Sequence, residues 1–416
     1  MKFEKYAIAD SIKKSLDESG FKKATDIQFK AIPSILKGED VMAVAQTGTG
    51  KTAAFVIPIL ELLLREPKRR QAKVVRCLVM VPTRELCQQI SRVFYDIGKY
   101  TGLLTSGIFG GVEDKQQIHE LEHGIDILVA TPGRMFDLRA QGHIDFSETE
   151  FLILDEADQM LALGFYKDIQ DIKKRLPRRH QTLFFSATIN EDIKDLAYSL
   201  VYKPIRIQIS PKDPVSKNVE HAVAYVAMDD KRFFLERLIR EQSEKKILVF
   251  VRTKVRAERV SKAMERVGIS TLTMHSDKEQ AERSATLAAF SKGETMVLIA
   301  TDINARGIDI PHIDLVVNYD LPDVAENYVH RVGRTGRGMN KGQAISFCAE
   351  EEKEMLLEIE QLITKPIAEM KIQKGDYQLT KVLSDAESNN WQKLIHDAEA
   401  QDAIFRKKNP IKNKKK

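Results

Sequence analysis

A chain of 416 residues is too long for one ordinary hydrophobic core and implies two domains with additional segments. Its 43% hydrophobic and 30% charged residues exclude a disordered or fibrous protein, and its longest apolar stretch, 53–64, is broken by Pro58 and Glu61 and is too short for the roughly 20 residues that cross a bilayer. The net charge of +5 is gathered at the end, where Arg406, Lys407, Lys408, Lys412, Lys414, Lys415 and Lys416 stand without an acid between them, so the body of the chain is near neutral.

The first residues, MKFEKYAIAD, lack the apolar core of a signal peptide, and the expected location is cytoplasmic. Apolar β-rich runs then alternate with longer amphipathic segments, the pattern of parallel sheets covered by helices. Strands are expected at Val41–Ala45, 77–81, Ile127–Ala130, Phe151–Leu154 and 182–185. A second series follows at Ile247–Phe250, 271–274, Val297–Ala300 and Leu315–Asn318. Between the series, 210–217 carries Pro211 and Pro214 and reads as an interdomain linker. The expected fold is therefore α/β, with a first domain over 1–209, the linker, a second domain over 218–365 and a C-terminal extension over 366–416.

Within and beyond the second domain the pattern is less specific. The acidic segment 350–362 has helical spacing and either packs on that domain or stands in solvent. Trp391, in a polar stretch, either docks on the body or is a stray aromatic. The basic end either contacts nucleic-acid phosphates or is a solvated terminus. Cys77, Cys87 and Cys348 have no metal-ligand spacing and read as buried, neutral thiols.

Most polar clusters begin where an expected strand ends: QTGTGKT after the first, then PTREL, TPGR, DEAD and SAT. In open α/β sheets ligands bind at the carboxyl ends of the strands, so these clusters should converge on one face. QTGTGKT is a phosphate-binding loop, in which Gly48 and Gly50 let the backbone amides turn toward phosphate oxygens. Lys51 is placed to reach the outer phosphates and Thr52 to ligate Mg²⁺, although Ala45 stands where the strict pattern has glycine. Asp155 is the second expected Mg²⁺ ligand, and Glu156 the group that orients or deprotonates the attacking water. In HRVGRTGR, Arg334 and Arg337 lie three apart, able to meet a γ-phosphate presented by the other domain.

In this order the motifs resemble those of DEAD-box ATP-dependent RNA helicases of superfamily 2, of the compact bacterial type. The similarity spans roughly residues 3 to 347 and also takes in GFKKATDIQ at 20–28, Gly110-Gly111, VFVRT at 249–253, HSDKEQAER at 275–283 and TDINARGID at 301–309. It implies two tandem RecA-like domains. It further implies that Gln28 binds adenine, with Phe21 stacked on the base and Phe3 behind it, so that ATP is the nucleotide. Gln46, Thr47 and Thr49 belong to the phosphate loop, and Gly307 and Asp309 match positions near the ribose and phosphates.

The same resemblance assigns RNA contacts to Pro82, Thr83, Arg84, Gly110, Gly111, Thr131, Gly133 and Arg134 in the first domain. In the second it assigns Arg252, Thr253, Gln280, Arg283, Thr301 and Asp302. Such contacts grip phosphate and ribose, with little sequence specificity. Ser186 and Thr188, with Asp158 and His330, match the set that couples RNA binding to hydrolysis. Three positions depart from the family pattern: Ala24 stands for Pro, Gln159 for Arg and Asn304 for Ala. Ala24 is expected to loosen the adenine loop and Gln159 to alter a surface link.

The expected activity is RNA-dependent ATP hydrolysis coupled to local separation of short duplexes by closure of the two domains, in a monomer with no membrane association. Protein partners from ribosome assembly or RNA decay are implied by the resemblance alone. Two other readings use overlapping motifs: an ATP-gated RNA clamp that does not unwind, and a DNA translocase, against which Gln28 and DEAD speak.

Overall fold

The computed structural model describes residues 2–45, 48–111, 114–209, 215, 218–302, 313–336, 341–372, 375, 377, 378 and 380. The runs VMAVA, CLVM, ILVA and FLIL are apolar at every position, which suits strands covered on both faces. They form the middle of a seven-stranded parallel sheet: β1 Val41–Ala45, β2 Cys77–Met80, β3 Thr105–Ile108, β4 Ile127–Ala130, β5 Phe151–Leu154, β6 Gln181–Ser186 and β7 Ile205–Ile209. Spatial order is β3-β4-β2-β5-β6-β1-β7.

A second seven-stranded parallel sheet holds β8 Val219–Tyr225, β9 Ile247–Phe250, β10 Leu272–Met274, β11 Val297–Ala300, β12 Leu315–Asn318, β13 Gly342–Cys348 and β14 Ala368–Glu369. Its order, β10-β11-β9-β12-β13-β8-β14, is that of the first with seven added to each strand number, so one RecA-like architecture occurs twice in tandem.

Strand alternation divides each interior into two cores. In β6, Leu183 and Phe185 join the helices Asp10–Glu18, Asp26–Leu36, Lys51–Arg65 and Arg84–Gly98 on one face. Phe184 joins Met135 and Leu138 of helix Pro132–Ala140 on the other. In the second sheet, helices Lys231–Glu241 and Lys254–Arg266 cover one face, and helices Gln280–Lys292, Ala325–Val332 and Lys353–Ile363 the other.

The acidic segment 350–362 packs. A 3-10 turn at Glu350–Glu352 leads into helix Lys353–Ile363, whose Leu356, Ile359 and Ile363 are buried. Glu352 is buried too, paired with Lys231, which is fully enclosed and donates to the Tyr319 carbonyl at 2.7 Å. The second domain's expected end at residue 365 falls short of its sheet. Ala368–Glu369 adds the edge strand β14 beside β8, and Tyr377 packs on Phe234 while its hydroxyl donates to Asp230 at 2.9 Å. Of the expected linker only Val215 is described, and it is buried; Trp391 and the basic end lie outside the described residues.

All three cysteines are buried, and burial pushes the Cys87 thiol up to about 12 and Cys348 to about 11, so both are neutral thiols. Among the described residues no helix is long and apolar enough to cross a membrane.

Candidate functional site

Sheet order decides which clusters become neighbours. Because β6 lies between β1 and β5, the phosphate loop, the SAT segment and the DEAD segment emerge side by side. On the far side of β5, strands β2, β4 and β3 deliver PTREL, TPGR and Gly110-Gly111 in a row. One edge of the sheet thus carries the nucleotide motifs and, continuous with them, the motifs matched to RNA.

In the phosphate loop Gly48 and Gly50 have φ of +80° and +93°, the left-handed region that side chains disfavour. A Cβ on Gly50 would lie 2.5 Å from Gln28 Nε2. Helix Lys51–Arg65 begins at once, aiming its positive end into the site. Lys51 is 7% exposed, and its Nζ has no hydrogen-bond partner among the described residues. A buried ammonium in that position fits an anionic ligand, since leaving it unpaired is costly. Gln46 and Thr47 lie outside the described residues; Thr49 and Thr52 follow the loop into the helix.

Asp155 and Glu156 are both buried where β5 ends. Burial pushes the Asp155 carboxyl up to about 6, against the opposing charge of Lys51, and its Oδ1 accepts the Glu156 amide at 3.0 Å. Glu156 itself adopts φ +51°, ψ +48°, an unusual backbone for a non-glycine residue and of the kind found where strain positions a reacting group.

Gln28 has a second task that its expected adenine contact did not anticipate. Its Oε1 accepts the Thr25 amide at 2.9 Å, closing a capping box at the start of helix Asp26–Leu36, and its Nε2 donates to the Gly50 carbonyl at 3.1 Å. The carboxamide therefore ties this segment to the phosphate loop with one lone pair and one N–H left over. The T-x-x-Q spacing at 25–28 was the available signal. Phe3 is buried and meets Phe21 edge to face, with ring centroids 6.3 Å apart, so the structure brings these two together.

Among the described residues, two side-chain ion-pair contacts join the units across the cleft. Asp158 accepts the Thr188 amide at 3.1 Å and hydroxyl at 3.0 Å, and faces His330 Nε2 of the second unit at 3.5 Å. Burial opposes ionisation of Asp158, but the bond to His330, its charge and that of Lys51 outweigh it and hold the carboxyl well below the usual carboxylate range. Ser186 is buried and donates to the Thr188 carbonyl at 2.7 Å, holding the SAT turn in place. The second contact is a buried ion pair between Glu85 and Arg283.

Arg334 is buried, with its Nε donating to the His330 carbonyl at 3.2 Å, so it is carried on the same turn as the cross-cleft histidine. Arg337, Gly307 and Asp309 lie outside the described residues. Gln159 is not on the surface, as its expected role required. It is 2% exposed and lines a cavity of about 230 Å³ between the two units, along with Asp158, Thr188, Glu326, Asn327 and His330.

Three threonines matched to RNA stand at helix starts: Thr83, Thr131 and Thr253 precede helices Arg84–Gly98, Pro132–Ala140 and Lys254–Arg266. Helix N-termini with free amides suit phosphate oxygens. Arg84 lies against Gly111, whose φ is +81°; a Cβ there would fall 2.2 Å from Arg84 Nη1. Gly110, Gly133 and Arg134 are partly or fully exposed along the same edge, and Pro82 is buried beneath it. Arg134 also bonds Asp137 at 2.6 Å.

In the second unit Gln280 begins helix Gln280–Lys292, one turn before Arg283, and Thr301 is buried where β11 ends. Arg252 is held by internal acids, with Nη2 3.2 Å from Glu352 Oε1 and Nε 3.0 Å from Asp323 Oδ1. Asp302 receives both prongs of Arg331, at 2.6 and 2.7 Å. Arg331, 1% exposed and also bonded to the Asp320 carbonyl at 2.7 Å, had no assigned role, although it lies inside HRVGR.

Comparison with known proteins gives matches along most of the chain. A DEAD/DEAH box helicase family model matches residues 25–196, and a helicase conserved C-terminal domain model residues 230–339. The chain is 38% identical over 370 residues to the ATP-dependent RNA helicase RhlB of Shewanella amazonensis, covering 88% of this chain and 84% of that protein. It is 37% identical over 385 residues to the DEAD-box ATP-dependent RNA helicase RhpA of Helicobacter pylori, covering 92% and 77%. Among solved structures, S. cerevisiae Dbp5 bound to RNA and ADP BeF3 superposes with a TM-score of 0.81 at 28% identity, over 93% of this chain and 99% of that one. The DEAD-box helicase Mss116 bound to ssRNA and UDP-BeF gives 0.81 at 25% identity, over 91% and 81%.

Proposed function

The chain belongs to the DEAD-box family of superfamily 2 and is an ATP-dependent RNA helicase, and from that premise we propose that it separates short RNA duplexes locally, by closing its two RecA-like units around ATP and one RNA strand. The observation that carries this reading is a buried Lys51 amine with no hydrogen-bond partner among the described residues on the first unit, together with the Asp158–His330 contact that joins the first unit to the second. Hydrolysis chemistry and RNA coupling then meet at one closed edge. The two working bodies are taken as residues 1–209 and the chain from 218 through the β14 edge.

Each residue acts through ordinary chemistry. Lys51 and the amides of the phosphate loop neutralise the outer phosphates, and Gln28 and Phe21 hold the base. Glu156 orients and deprotonates the attacking water, while Arg334 and Arg337 balance charge that spreads onto the γ-phosphate. Thr52 and Asp155 fit Mg²⁺, which this class of site holds through one or two carboxylates and substrate phosphates rather than a cage of protein ligands. When bound, the ion would supply further charge neutralisation. Closure requires Asp158 to stay ionised opposite His330, and RNA completes the same edge through Arg84, Gly110 and Gly111.

One closure acts on few base pairs. Stacking is worth about 1.4 kcal/mol per step in DNA, so a single grip destabilises a short segment rather than driving long translocation. The test is strand release from a short RNA duplex with ATP and with a non-hydrolysable analogue. Release that needs ATP supports the proposal; ATP-dependent retention of RNA without release supports the clamp instead.

A further inference from the structure

Away from the cleft, a concave surface of about 560 Å³ lies between helices Lys231–Glu241 and Lys254–Arg266, lined by Arg232, Arg256, Arg259, Lys262 and Arg266, with Thr253 at one end. Helical spacing makes this stripe: Ala257, Val260 and Met264 turn into the core, which leaves the cations between them on the opposite face. Glu258 of the same helix points elsewhere, accepting from the Thr273 hydroxyl at 2.7 Å and paired with His275 at 2.8 Å. Arg256 is matched by Asp320 at 3.0 Å. Arg232, Arg259, Lys262 and Arg266 are exposed and have no carboxylate partner among the described residues, and Asp229 is the lone acid on the lining.

Four such cations around one hollow make a positive field that attracts an extended anion. From Arg256 to Arg266 the helix rises about 15 Å, at 1.5 Å per residue, which is long enough to follow several phosphates. The stripe also begins at Thr253, a helix start that the resemblance assigns to the RNA path. We propose that this groove is a second RNA-backbone site, which takes up single-stranded RNA as it leaves the cleft past Thr253. The proposal rests on the RNA reading of the cleft. Continuity with Thr253 favours RNA over an acidic polypeptide, and backbone contact of this kind carries no sequence preference.

The test uses the full chain with Arg259→Gln, Lys262→Gln and Arg266→Gln combined; all three side chains are exposed, so the fold should be unaffected. RNA-stimulated hydrolysis and direct binding are measured with a strand just long enough to fill the cleft and with one several times longer, across a salt series. For the long strand, the triple variant should lose about 2 from the slope of log affinity against log salt, at about 0.7 per lost phosphate contact. The short strand should bind and stimulate as in the wild type. An unchanged slope and affinity for the long strand would overturn the proposal and leave the groove to another anion, such as an acidic polypeptide. Failure of the cleft reading looks different: neither strand would stimulate the wild type, while direct binding of the long strand would still score the groove.

Discussion

Glu85 and Arg283 come from different units, yet their side chains are only 7% and 9% exposed where they meet. Glu85→Gln leaves the Arg283 guanidinium in the closed cleft without its counter-charge. Breaking a buried pair from one side costs about 3–5 kcal/mol, and a pair with some residual exposure belongs near the lower figure. When the units separate, both groups face water and the substitution costs little. The penalty of about 3 kcal/mol therefore falls on closure alone, and at 1.4 kcal/mol per tenfold it should weaken RNA binding in the presence of a non-hydrolysable ATP analogue by roughly 100-fold. RNA titration by fluorescence anisotropy, with and without the analogue, measures this directly. Binding without the analogue and the melting temperature should barely change. A loss under threefold would refute the reasoning. A gain would refute it too, because tighter binding is the behaviour of an Arg283 whose main task is to hold phosphate and which Glu85 merely restrains.

Other substitutions separate catalysis from scaffold. Glu156→Gln should keep ATP and RNA binding while lowering kcat by about 10² to 10⁴, because the amide cannot accept a proton; near-normal turnover in a steady-state assay would remove Glu156 from its role. Gly111→Ala puts a methyl group 2.2 Å from Arg84 Nη1 at a left-handed position. If Arg84 grips RNA, losing one charge-assisted bond of about 1.5–3 kcal/mol should raise the RNA concentration for half-stimulation by 10- to 100-fold, with ATP affinity intact. Lys231→Met removes the enclosed ammonium from buried Glu352 and leaves that carboxylate only Arg252, at 3.2 Å, as a cation. At about 3 kcal/mol and 2–4 °C per kcal/mol, calorimetry should record a fall of roughly 6–12 °C, and a shift under 2 °C would contradict the network. Asp158 is held well below its ordinary range, so its unfolded form binds more protons in acid. The folding stability it contributes should be full above about pH 4 and be lost progressively as pH falls further, and a melting temperature whose Asp158-dependent part is unchanged between pH 5 and pH 2 would speak against it.

The parts of the fold legible from sequence were those where burial is uniform. Strands β1, β4, β5, β9 and β11 are unbroken apolar runs, β12 is apolar up to Asn318, and all six lie where the pattern places them. Strands β8 and β13 are as central but carry His221 and Ser346, whose polar atoms break the signal. β3 holds Gly107 in a half-buried edge strand, and β7 is mostly exposed. These strands are set by pairing with neighbours distant in sequence, which no local window contains.

At the site, motif spacing located the strand ends, but it did not apportion each side chain's bonds. Gln28 divides itself between a helix cap and the Gly50 carbonyl. Arg252 is held by Glu352 and Asp323, and Asp302 is forked by Arg331; each of these pairings depends on chain segments brought together only by the second sheet. Gln159 reads as a surface residue in the sequence because the cavity it lines is built from both units.

The most direct test of the central claim is steady-state ATP hydrolysis by the full chain without nucleic acid, with single-stranded RNA, and with DNA of the same sequence. RNA alone should stimulate turnover strongly, because it completes the edge at Arg84, Gly110 and Gly111 that closes onto Asp158 and His330. Equal rates in all three conditions, or equal stimulation by DNA, would contradict an ATPase gated by RNA-driven closure.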